Sequence, residues 1–298
     1  MFNSTDLNMP KVSVLLPVYN TNVTHLRDAI ESILSQTYTD FELLIINDAS
    51  TDIVVEETIL SYKDSRIKYQ VNLTNVGITH TRNKLIDMAQ GQYLAVMDHD
   101  DISLADRLKK QVSYLDNNID IGVVSCNYEK FRNKNILSKQ KKRFVNTLID
   151  DNDIRVALIK TCALIHPAAM IRRSVLIDNN IRYENRFSPA EDYALWCRLI
   201  PHTKFHNIPE VLFRYRVHSN NTSRVQKKQI NRAANAIQAF VANDNPLLYK
   251  EHQYTATSIT KICLFGIIPI AKLISTRQRT WVYFLNIIPI LYYKKISN

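Results

Sequence analysis

Residues 12–20 read VSVLLPVYN, and their pattern is the strongest indication of the fold class. Val12–Leu16 is short, largely apolar and followed by Pro17, which is typical of a strand buried on both faces. Apolar residues at helical spacing follow over Val23–Gln36, and a second apolar strand is predicted over Phe41–Ile46. A strand, a helix and a strand at this spacing indicate a parallel sheet covered by helices on both faces.

The same alternation continues to about residue 128 and then weakens. Up to that point we predict helices at Asp52–Tyr62, Thr79–Ala89 and Leu104–Leu115, and strands at Ile67–Tyr69, Tyr93–Met97 and Val123–Cys126. Beyond it we predict helices at Asp151–Lys160, Glu191–Ile200 and Asn221–Val241, and strands at Ala168–Ile171, Lys204–Ile208 and Val211–Val217. The pattern indicates an α/β protein whose first part is the more regular.

Polar side chains follow three of the predicted strands at the point where each strand ends. They are the clusters Pro17–Asn20, Asn47–Ser50 and Asp98–Asp101. The carboxyl ends of parallel strands meet at one edge of a sheet, and ligands bind beyond that edge. We therefore expect these three clusters to form one site.

The composition excludes several kinds of site. The chain has four glycines, none close enough to another for a Rossmann fingerprint or a Walker A loop: Gly77, Gly91, Gly122 and Gly266. Its four cysteines include no C-x-x-C pair, which disfavours a zinc site or a disulfide framework and fits a reducing compartment. We find neither a signal-peptide pattern at the N-terminus nor an apolar run of the ~18 residues that a membrane span needs.

The aspartates at two strand ends have both functional and structural interpretations. Asp98 and Asp100 form a D-x-D pair, and adjacent carboxylates repel each other unless a cation such as Mg²⁺ or Mn²⁺ neutralises them. The same acids could instead cap the helix near Leu104, which is the commoner role of so short a motif. Asp48 could accept a hydrogen bond from a nucleotide or could form an Asx turn.

Four further residues also have both a functional and a structural interpretation. Arg82 follows a predicted helix start and could contact a diphosphate, although most such arginines are surface residues. Glu191 and Asp192 open a helix, where the dipole favours acids, but either could serve as a general base. His218 ends the last strand and could bind a metal or a phosphate, or be a surface histidine.

Taken in order, these motifs resemble those of the bacterial family-2 glycosyltransferases, which have the GT-A fold. The resemblance covers roughly residues 10 to 223. It is carried by residues 12–20, Asn47–Asp52, Asn75-x-Gly77 to Arg82-Asn83, Gly91-x-Tyr93 to Asp101, His166-Pro167, Arg172-Arg173, Glu191–Leu199 and Tyr215-Arg216-x-His218. Two departures are Ala49, where the family usually has glycine, and the segment 179–190, which lacks the family's usual glycines.

The resemblance implies a role for each candidate residue. The nucleotide of a UDP-sugar would be held by Pro17, Tyr19, Asp48 and Arg82. Asp98 and Asp100 would bind nucleotide and a Mn²⁺ or Mg²⁺ ion, with Asp100 the more direct ligand and His218 close to the metal or diphosphate. Asp192 would be the catalytic base and Glu191 would orient the acceptor, which Trp196 and Arg198 would also bind.

The activity implied is that of an inverting hexosyltransferase. It would transfer a sugar from a UDP-sugar to a hydroxyl of a glycan or glycolipid acceptor, such as lipopolysaccharide or lipooligosaccharide, capsule or a lipid-linked oligosaccharide. On this interpretation residues 10–223 form the GT-A catalytic domain, with a nucleotide-sugar half at 10–128 and an acceptor half at 129–223. Residues 224–298 form a separate C-terminal region.

The C-terminal region carries most of the net charge of +10. Residues 224–298 contain eleven basic and two acidic residues, and LFGIIPI at 264–270 recurs approximately as FLNIIPI at 284–290. Apolar segments flanked by Lys and Arg suit the headgroup layer of an anionic leaflet. We predict a helical region that attaches the protein peripherally to the inner, cytoplasmic face of the plasma membrane. The alternative is a pair of helices packed on the catalytic domain.

Two other classes of function remain open at this point. The net charge also suggests a nucleic-acid-binding protein, but such a protein interleaves basic residues with aromatics, whereas here they alternate with Ile, Leu and Pro runs. We therefore expect no nucleic-acid partner. A nucleotidyltransferase or another metal-dependent nucleotide enzyme is disfavoured only by the resemblance around Glu191-Asp192.

Overall fold

The computed structural model describes residues 9–132, 143–219, 221–244, 258–264, 268–275, 279–284 and 288–294. The chain forms two compact units, which divide between Ala239 and Phe240. The predicted domain bounds, 10–223 and 224–298, stay predictions.

The first unit begins with regular alternation of strands and helices. Its elements are β1 (Val12–Val18), α1 (Val23–Leu34), β2 (Phe41–Asn47), α2 (Ile53–Leu60), β3 (Ile67–Val71), α3 (Ile78–Met88), β4 (Tyr93–Val96), β5 (Ile102–Ser103), α4 (Arg107–Asn117) and β6 (Ile121–Phe131). The later elements are β7 (Arg143–Val145), α5 (Asp151–Leu158), β8 (Met170–Arg172), α6 (Arg173–Asp178), α7 (Glu191–Leu199), β9 (Lys204–Arg216), α8 (Thr222–Val225) and α9 (Lys227–Asp244). Short 3₁₀ helices lie at His166–Ala168 and Asn185–Phe187.

One sheet runs through this unit in the order β3-β2-β1-β4-β8-β6-β9-β5, with β7 paired to β6. Strand β1 is parallel to both β2 and β4, and β2 is parallel to β3, so the predicted parallel sheet is confirmed for this part. Strand β8 lies antiparallel between β4 and β6, which makes the whole sheet mixed rather than mostly parallel. An apolar pattern reports that a strand is buried but not the direction in which it runs.

The predicted core of the sheet is present. Every residue of β1 is buried, and Leu26, Ile30 and Ile33 of α1 are fully buried. The polar Ser13 within β1 is satisfied because its hydroxyl donates to Glu42 Oε1 at 2.6 Å and accepts from the Gly91 N–H at 2.8 Å. Gly91 is needed there, since a Cβ would lie 2.5 Å from the Ser13 nitrogen.

The last strand of the first unit differs from the prediction. The expected strands Lys204–Ile208 and Val211–Val217 are one strand, β9. Its pairing with β6 shifts between Ile208 and Val211, so Pro209 and Glu210 are accommodated as a bulge. A bulge takes up a proline that cannot donate to the ladder without ending the strand.

The second unit corrects the prediction of a helical C-terminal region. Helix α9 is followed by four strands: β10 (Ser258–Leu264), β11 (Ile268–Ser275), β12 (Arg279–Phe284) and β13 (Ile288–Lys294). They form an antiparallel sheet, as their β-branched and aromatic residues favour. The sequence repeat appears as two equivalent hairpins, in which Cys263 pairs with Pro269 and Tyr283 with Pro289. None of the helices in the described part of the chain is long and apolar enough to cross a membrane.

Candidate active site

The carboxyl ends of β1 and β2 are tied together as expected. The Asn20 N–H donates to Ser50 Oγ at 2.9 Å, and Asn20 Oδ1 accepts from the Thr51 N–H at 2.8 Å. Tyr19 is 44% exposed just beyond β1, whereas Pro17 is buried within the strand. Of the two predicted nucleotide contacts, only Tyr19 has an exposed side chain, and both contacts stay predictions.

Asp48 is buried and shapes the loop that leads to α3. Its Oδ1 accepts from Asn72 Nδ2 at 2.7 Å and from the Val76 N–H at 3.0 Å, and its Oδ2 accepts from the Gly77 N–H at 2.9 Å. Gly77 has a φ of 87°, a conformation in which other residues are strained. The predicted contact of Asp48 with the nucleotide stays a prediction, and the observed role is to hold this loop.

Ala49, the first departure from the family pattern, has a φ of 57°. An L-residue in this left-handed region is strained because its Cβ approaches the following carbonyl oxygen. The usual glycine would have no such strain. The turn after β2 therefore keeps its conformation at a cost that the sequence alone did not reveal.

Arg82 joins the end of β4 to the start of α7. Its Nη1 donates to Glu191 Oε1 at 2.7 Å and its Nη2 donates to Asp98 Oδ1 at 3.2 Å. Burial alone would lower the pKa of Arg82, but Asp98 and Glu191 outweigh it and raise the pKa. Burial likewise raises the pKa of Asp98, and Arg82 opposes that rise. The guanidinium thus connects the donor side of the site with the predicted acceptor side, and its predicted contact with the nucleotide stays a prediction.

Asp192 lies in the first turn of α7 beside this ion pair. Burial, and then the neighbouring Glu191 charge, raise the pKa of Asp192 to about 6. Its Oδ1 accepts from the Tyr193 N–H at 2.7 Å. Within the described chain, the buried Oε2 of Glu191 has no hydrogen-bond partner. A carboxylate that titrates near neutrality, next to an unsatisfied oxygen acceptor, suits proton abstraction from a bound hydroxyl.

Asp100 and His218 lie close enough to share one ligand. Asp100 Oδ2 and His218 Nε2 are 2.6 Å apart, and His218 is anchored by its N–H, which donates to Asn221 Oδ1 at 2.7 Å. Asp98 is turned toward Arg82 instead. No cluster of three or more His, Cys, Asp or Glu suited to a metal exists among the residues described. A carboxylate such as that of Asp100 suits Mn²⁺ or Mg²⁺ when substrate phosphates and water supply the other ligands, and the metal contact of His218 stays a prediction.

Arg216 holds the D-x-D loop, a role that sequence reasoning missed. Its backbone N–H donates to Asp101 Oδ1 at 2.7 Å, its Nε donates to the Asp100 carbonyl at 2.5 Å, and its Nη2 donates to Asp28 Oδ2 at 2.7 Å. Only 2% of Arg216 is exposed. Its position two residues before His218 was the only sequence signal.

The two predicted acceptor residues lie in different environments. Trp196 is fully buried, with its ring 5.7 Å from that of His166, and its predicted contact with the acceptor stays a prediction. Most of α7 is buried, including Leu195 and Leu199 on either side of Trp196. Arg198 is partly exposed and donates to Glu184 Oε1 at 2.7 Å, and its acceptor contact stays a prediction.

Tyr183 is a further residue that the sequence did not single out. Its hydroxyl and His166 Nε2 are 2.8 Å apart, and its ring lies 5.6 Å from the Arg82 guanidinium. Burial, followed by the Arg82 charge, lowers the pKa of His166 well below its usual value, so the imidazole is neutral. Tyr183 and His166 therefore form an uncharged pair that packs next to Arg82.

Comparisons with known proteins identify the family of this chain. Residues 13–179 match the model of a family described as glycosyl transferase family 2. The chain is 35% identical over 231 residues to an uncharacterized glycosyltransferase of Methanocaldococcus jannaschii, covering 76% of this chain and 78% of that protein. It is 28% identical over 255 residues to WfgD of Escherichia coli, a UDP-Glc:alpha-D-GlcNAc-diphosphoundecaprenol beta-1,3-glucosyltransferase, covering 84% and 94%.

Two solved structures share the fold. S. aureus TarS 1–349 in complex with UDP-GlcNAc superposes with a TM-score of 0.61 at 17% identity, over 82% of this chain and 72% of that one. The mannosyltransferase PcManGT from Pyrobaculum calidifontis, in complex with GDP-Man and Mn²⁺, gives 0.60 at 19% identity, over 83% and 70%. The first unit therefore has the mixed, Rossmann-like sheet of GT-A structures.

Proposed function

This chain belongs to glycosyl transferase family 2, and from that premise we propose that it is an inverting, metal-dependent transferase that uses a UDP-sugar. It is an enzyme that transfers glycosyl groups, as its family and relatives indicate. The observation that carries the finer proposal is Arg82, which holds Asp98 of the donor side and Glu191 of the acceptor side on one guanidinium. The catalytic base Asp192 lies beside that bridge.

The transfer proposed is a single in-line displacement. Asp192 accepts the proton of the acceptor hydroxyl while the oxygen forms a bond to the anomeric carbon and the bond from that carbon to UDP breaks. Attack opposite to the leaving group inverts the anomeric configuration. Glu191 Oε2, which has no hydrogen-bond partner among the described residues, accepts a hydrogen bond from a hydroxyl of the acceptor substrate and so orients it.

Asp100 and His218 are the residues that would hold the divalent cation. When bound, the cation supplies positive charge at the diphosphate, where negative charge develops as UDP departs. Arg216 fixes the Asp100 carbonyl and Asp101, so the loop carrying Asp100 is rigid before any ligand arrives. This agrees with the Mn²⁺ named in the PcManGT complex, which shares the fold.

The donor and acceptor classes are supported by the relatives. UDP-Glc is named for WfgD and UDP-GlcNAc for the TarS complex, whereas the PcManGT complex contains GDP-Man. WfgD acts on an undecaprenyl-diphosphate-linked GlcNAc. We accordingly propose a UDP-hexose donor and a lipid-linked or surface-glycan acceptor of the lipopolysaccharide type.

A donor screen tests the proposal. The protein is incubated with UDP-Glc, UDP-Gal, UDP-GlcNAc, UDP-GalNAc or GDP-Man, with MnCl₂ or with EDTA, and release of the nucleotide is measured. We expect one UDP-sugar to be turned over with Mn²⁺ and at least tenfold more slowly with EDTA. The Asp192→Asn variant should keep UDP binding but lose turnover by a factor of 10² to 10⁴, the usual contribution of a general base. Turnover by that variant at the wild-type rate would refute the assignment of the base.

We also propose that the second unit attaches the enzyme to the cytoplasmic face of the plasma membrane. The backbone register pairs Lys261 with Lys272 and Arg279 with Lys294, so basic residues occupy opposing positions in both hairpins. Like charges in such pairs destabilise a sheet unless an opposite charge neutralises them. An anionic lipid surface would supply that charge and would bring the site close to a lipid-linked acceptor.

A further inference from the structure

Asn83 of α3 makes a two-point contact with a residue far along the chain. Its Nδ2 donates to the Tyr183 carbonyl at 2.9 Å, and its Oδ1 accepts from the Tyr183 N–H at 3.0 Å. A carboxamide carries a donor and an acceptor side by side, so it can satisfy both backbone groups of one residue as a neighbouring strand would. The contact joins segments that are 100 residues apart in sequence.

The residues on either side of Asn83 contact other parts of the site. Arg82 binds Glu191 and Asp98. Lys84 Nζ donates to Asn72 Oδ1 at 2.7 Å, and Asn72 Nδ2 in turn donates to Asp48. Successive helical residues point about 100° apart, so one turn of α3 reaches three directions. This turn therefore links the Asp48 loop, the end of β4 and the segment before α7.

That last segment leads directly to the proposed base. It passes from Tyr183 through the 3₁₀ helix Asn185–Phe187 to the start of α7 at Glu191. Asn83 holds one end of it, and the bond from Arg82 to Glu191 holds the other. Tyr183 is 4% exposed and its hydroxyl is bonded to His166, so the held end is itself packed in the core.

We propose that Asn83 is a positioning residue, which sets the place of Asp192 relative to the donor by clamping the backbone of Tyr183 to α3. This inference rests on the proposed function. Transfer requires the acceptor oxygen and the anomeric carbon to be held a little over 3 Å apart, and a misplacement of 1 Å can cost about 100-fold in rate. Asp48 and Asp98, on the donor side, are held by Asn72 and Arg82 and not by Asn83. Loss of the clamp should therefore reduce transfer without weakening nucleotide binding.

A purely structural contact would behave differently. The charged and titratable groups that act on Asp192 are Glu191, Arg82, Asp98, Tyr183, Cys162 and Cys197. If the clamp is released, the distances from Asp192 to Arg82 and Tyr183 change, and the acid limb of the pH–rate profile shifts. A loss of stability alone would lower the amount of active enzyme but would leave that limb in place.

The test compares Asn83→Ala with Asn117→Ala. Asn117 is exposed at the end of α4, and its Nδ2 also donates to a backbone carbonyl, that of Ser113 at 2.8 Å. Three quantities are measured on the full chain: affinity for UDP with MnCl₂, kcat with the best donor of the screen across pH 5–9, and hydrogen exchange over residues 181–187. Asn83→Ser, which keeps one hydroxyl for one of the two backbone groups, replaces Asn83→Ala if the latter does not fold.

For Asn83→Ala we expect UDP affinity within threefold of the wild type and kcat lower by about 100-fold. The acid limb should shift by at least half a pH unit, and exchange at 181–187 should be at least tenfold faster. Asn117→Ala should match the wild type. A kcat like that of Asn117→Ala, an unshifted acid limb, or a parallel loss of kcat and UDP affinity would overturn the positioning role. A wild-type protein that binds UDP but turns over no donor would overturn the proposed function instead.

Discussion

At the residue scale, the pKa of Asp192 makes two linked predictions. The first concerns rate. Burial and the Glu191 charge raise this pKa to about 6, and a general base acts only when ionised. We therefore expect kcat to rise with pH through about 6 and to level off above it. Nucleotide release measured from pH 5 to 9 checks this, and a profile already flat between pH 5 and 7 would contradict it.

The second prediction concerns the free energy of unfolding, which should fall with rising pH where kcat rises. An acid whose pKa is raised by folding binds more protons in the native state, so the free energy of unfolding falls as pH rises from about 4 to 6. At pH 7 Asp192 is ionised, and burial of its charge lowers the free energy of unfolding. Asp192→Asn should thus raise the free energy of unfolding by about 1 kcal/mol at pH 7 and by much less at pH 4. Urea titrations at both pH values measure the difference.

Ala49 provides another prediction about a single residue. Its φ of 57° costs roughly 1 kcal/mol for an L-residue, and glycine removes that cost while adding some entropy to the unfolded chain. We expect Ala49→Gly to raise the free energy of unfolding by roughly 0.5 kcal/mol. The control is Ala157→Gly within α5, which should lower it by up to about 1 kcal/mol. If both variants were destabilised equally, the strain at Ala49 would be disproved.

At the scale of elements, α3 connects the end of β4 with the start of α7 through Arg82, and a substitution of Arg82 tests this role. Arg82→Met keeps the length of the side chain but leaves Asp98 and Glu191 without their partner. Removing one member of a buried ion pair typically costs about 3 kcal/mol. Here the loss should shrink as the pH falls, because the raised pKa of Asp98 lets that carboxylate take up a proton. The control, Arg66→Met, breaks a partly exposed pair with Asp64 and should cost under about 1 kcal/mol. Equal losses in the two variants would contradict the connecting role.

The elements also show what could be predicted from the sequence. Helix α1 was expected at Val23–Gln36 and ends only two residues earlier, because apolar spacing and the Asn22 cap are local signals. The direction of β8 and the continuity of β9 past Pro209 could not be predicted, since both depend on which strands are neighbours. The hairpins of the second unit were mistaken for helices because a short apolar run alone does not distinguish helix from strand.

The residues of the candidate site also separate into those that local sequence patterns indicate and those that they do not. Asp48, Asp98, Asp100, Asp192 and His218 could be proposed as site residues from the sequence because each follows a strand or opens a helix, and their roles stay predictions. Partners such as Tyr183 and Arg216 were missed, since their contacts join distant segments and leave no local pattern. The burial of Trp196 could not be predicted either, because an aromatic on a helix can pack inward as readily as outward.

At the scale of the whole molecule, the net charge is concentrated toward the C-terminal end of the sequence. Residues 224–298 hold eleven basic residues against two acidic ones, whereas the chain as a whole carries +10. Within the sheet of the second unit, alternation and register place Lys272 with Ile274, and Trp281 with Arg279, on one face. Lys261 and Lys294 join this face through their pairing with Lys272 and Arg279. Basic residues flanked by apolar ones are typical of contact with anionic headgroups.

This face predicts how the protein should partition between water and lipid. Each basic residue near an anionic surface contributes about 1 kcal/mol, so replacing Lys261, Lys272, Arg279 and Lys294 with Gln should weaken binding to vesicles by several hundredfold. Binding is measured by co-sedimentation of the full chain with phosphatidylglycerol–phosphatidylcholine vesicles, and raising the salt should weaken it further in the wild type. A second variant replaces four exposed basic residues of the first unit, Arg27, Lys63, Lys109 and Lys160.

The two variants lose the same charge, so they separate a local surface from a general attraction. If the membrane contact is the basic face of the second unit, the first-unit variant should bind almost as the wild type does. Equal losses in both would mean that net charge alone draws the protein to lipid. Binding of the wild type to pure phosphatidylcholine as strong as to the anionic mixture would rule out an electrostatic attachment. In either case the donor-screen activity in solution should persist, because none of the eight substituted residues is among those placed in the catalytic site.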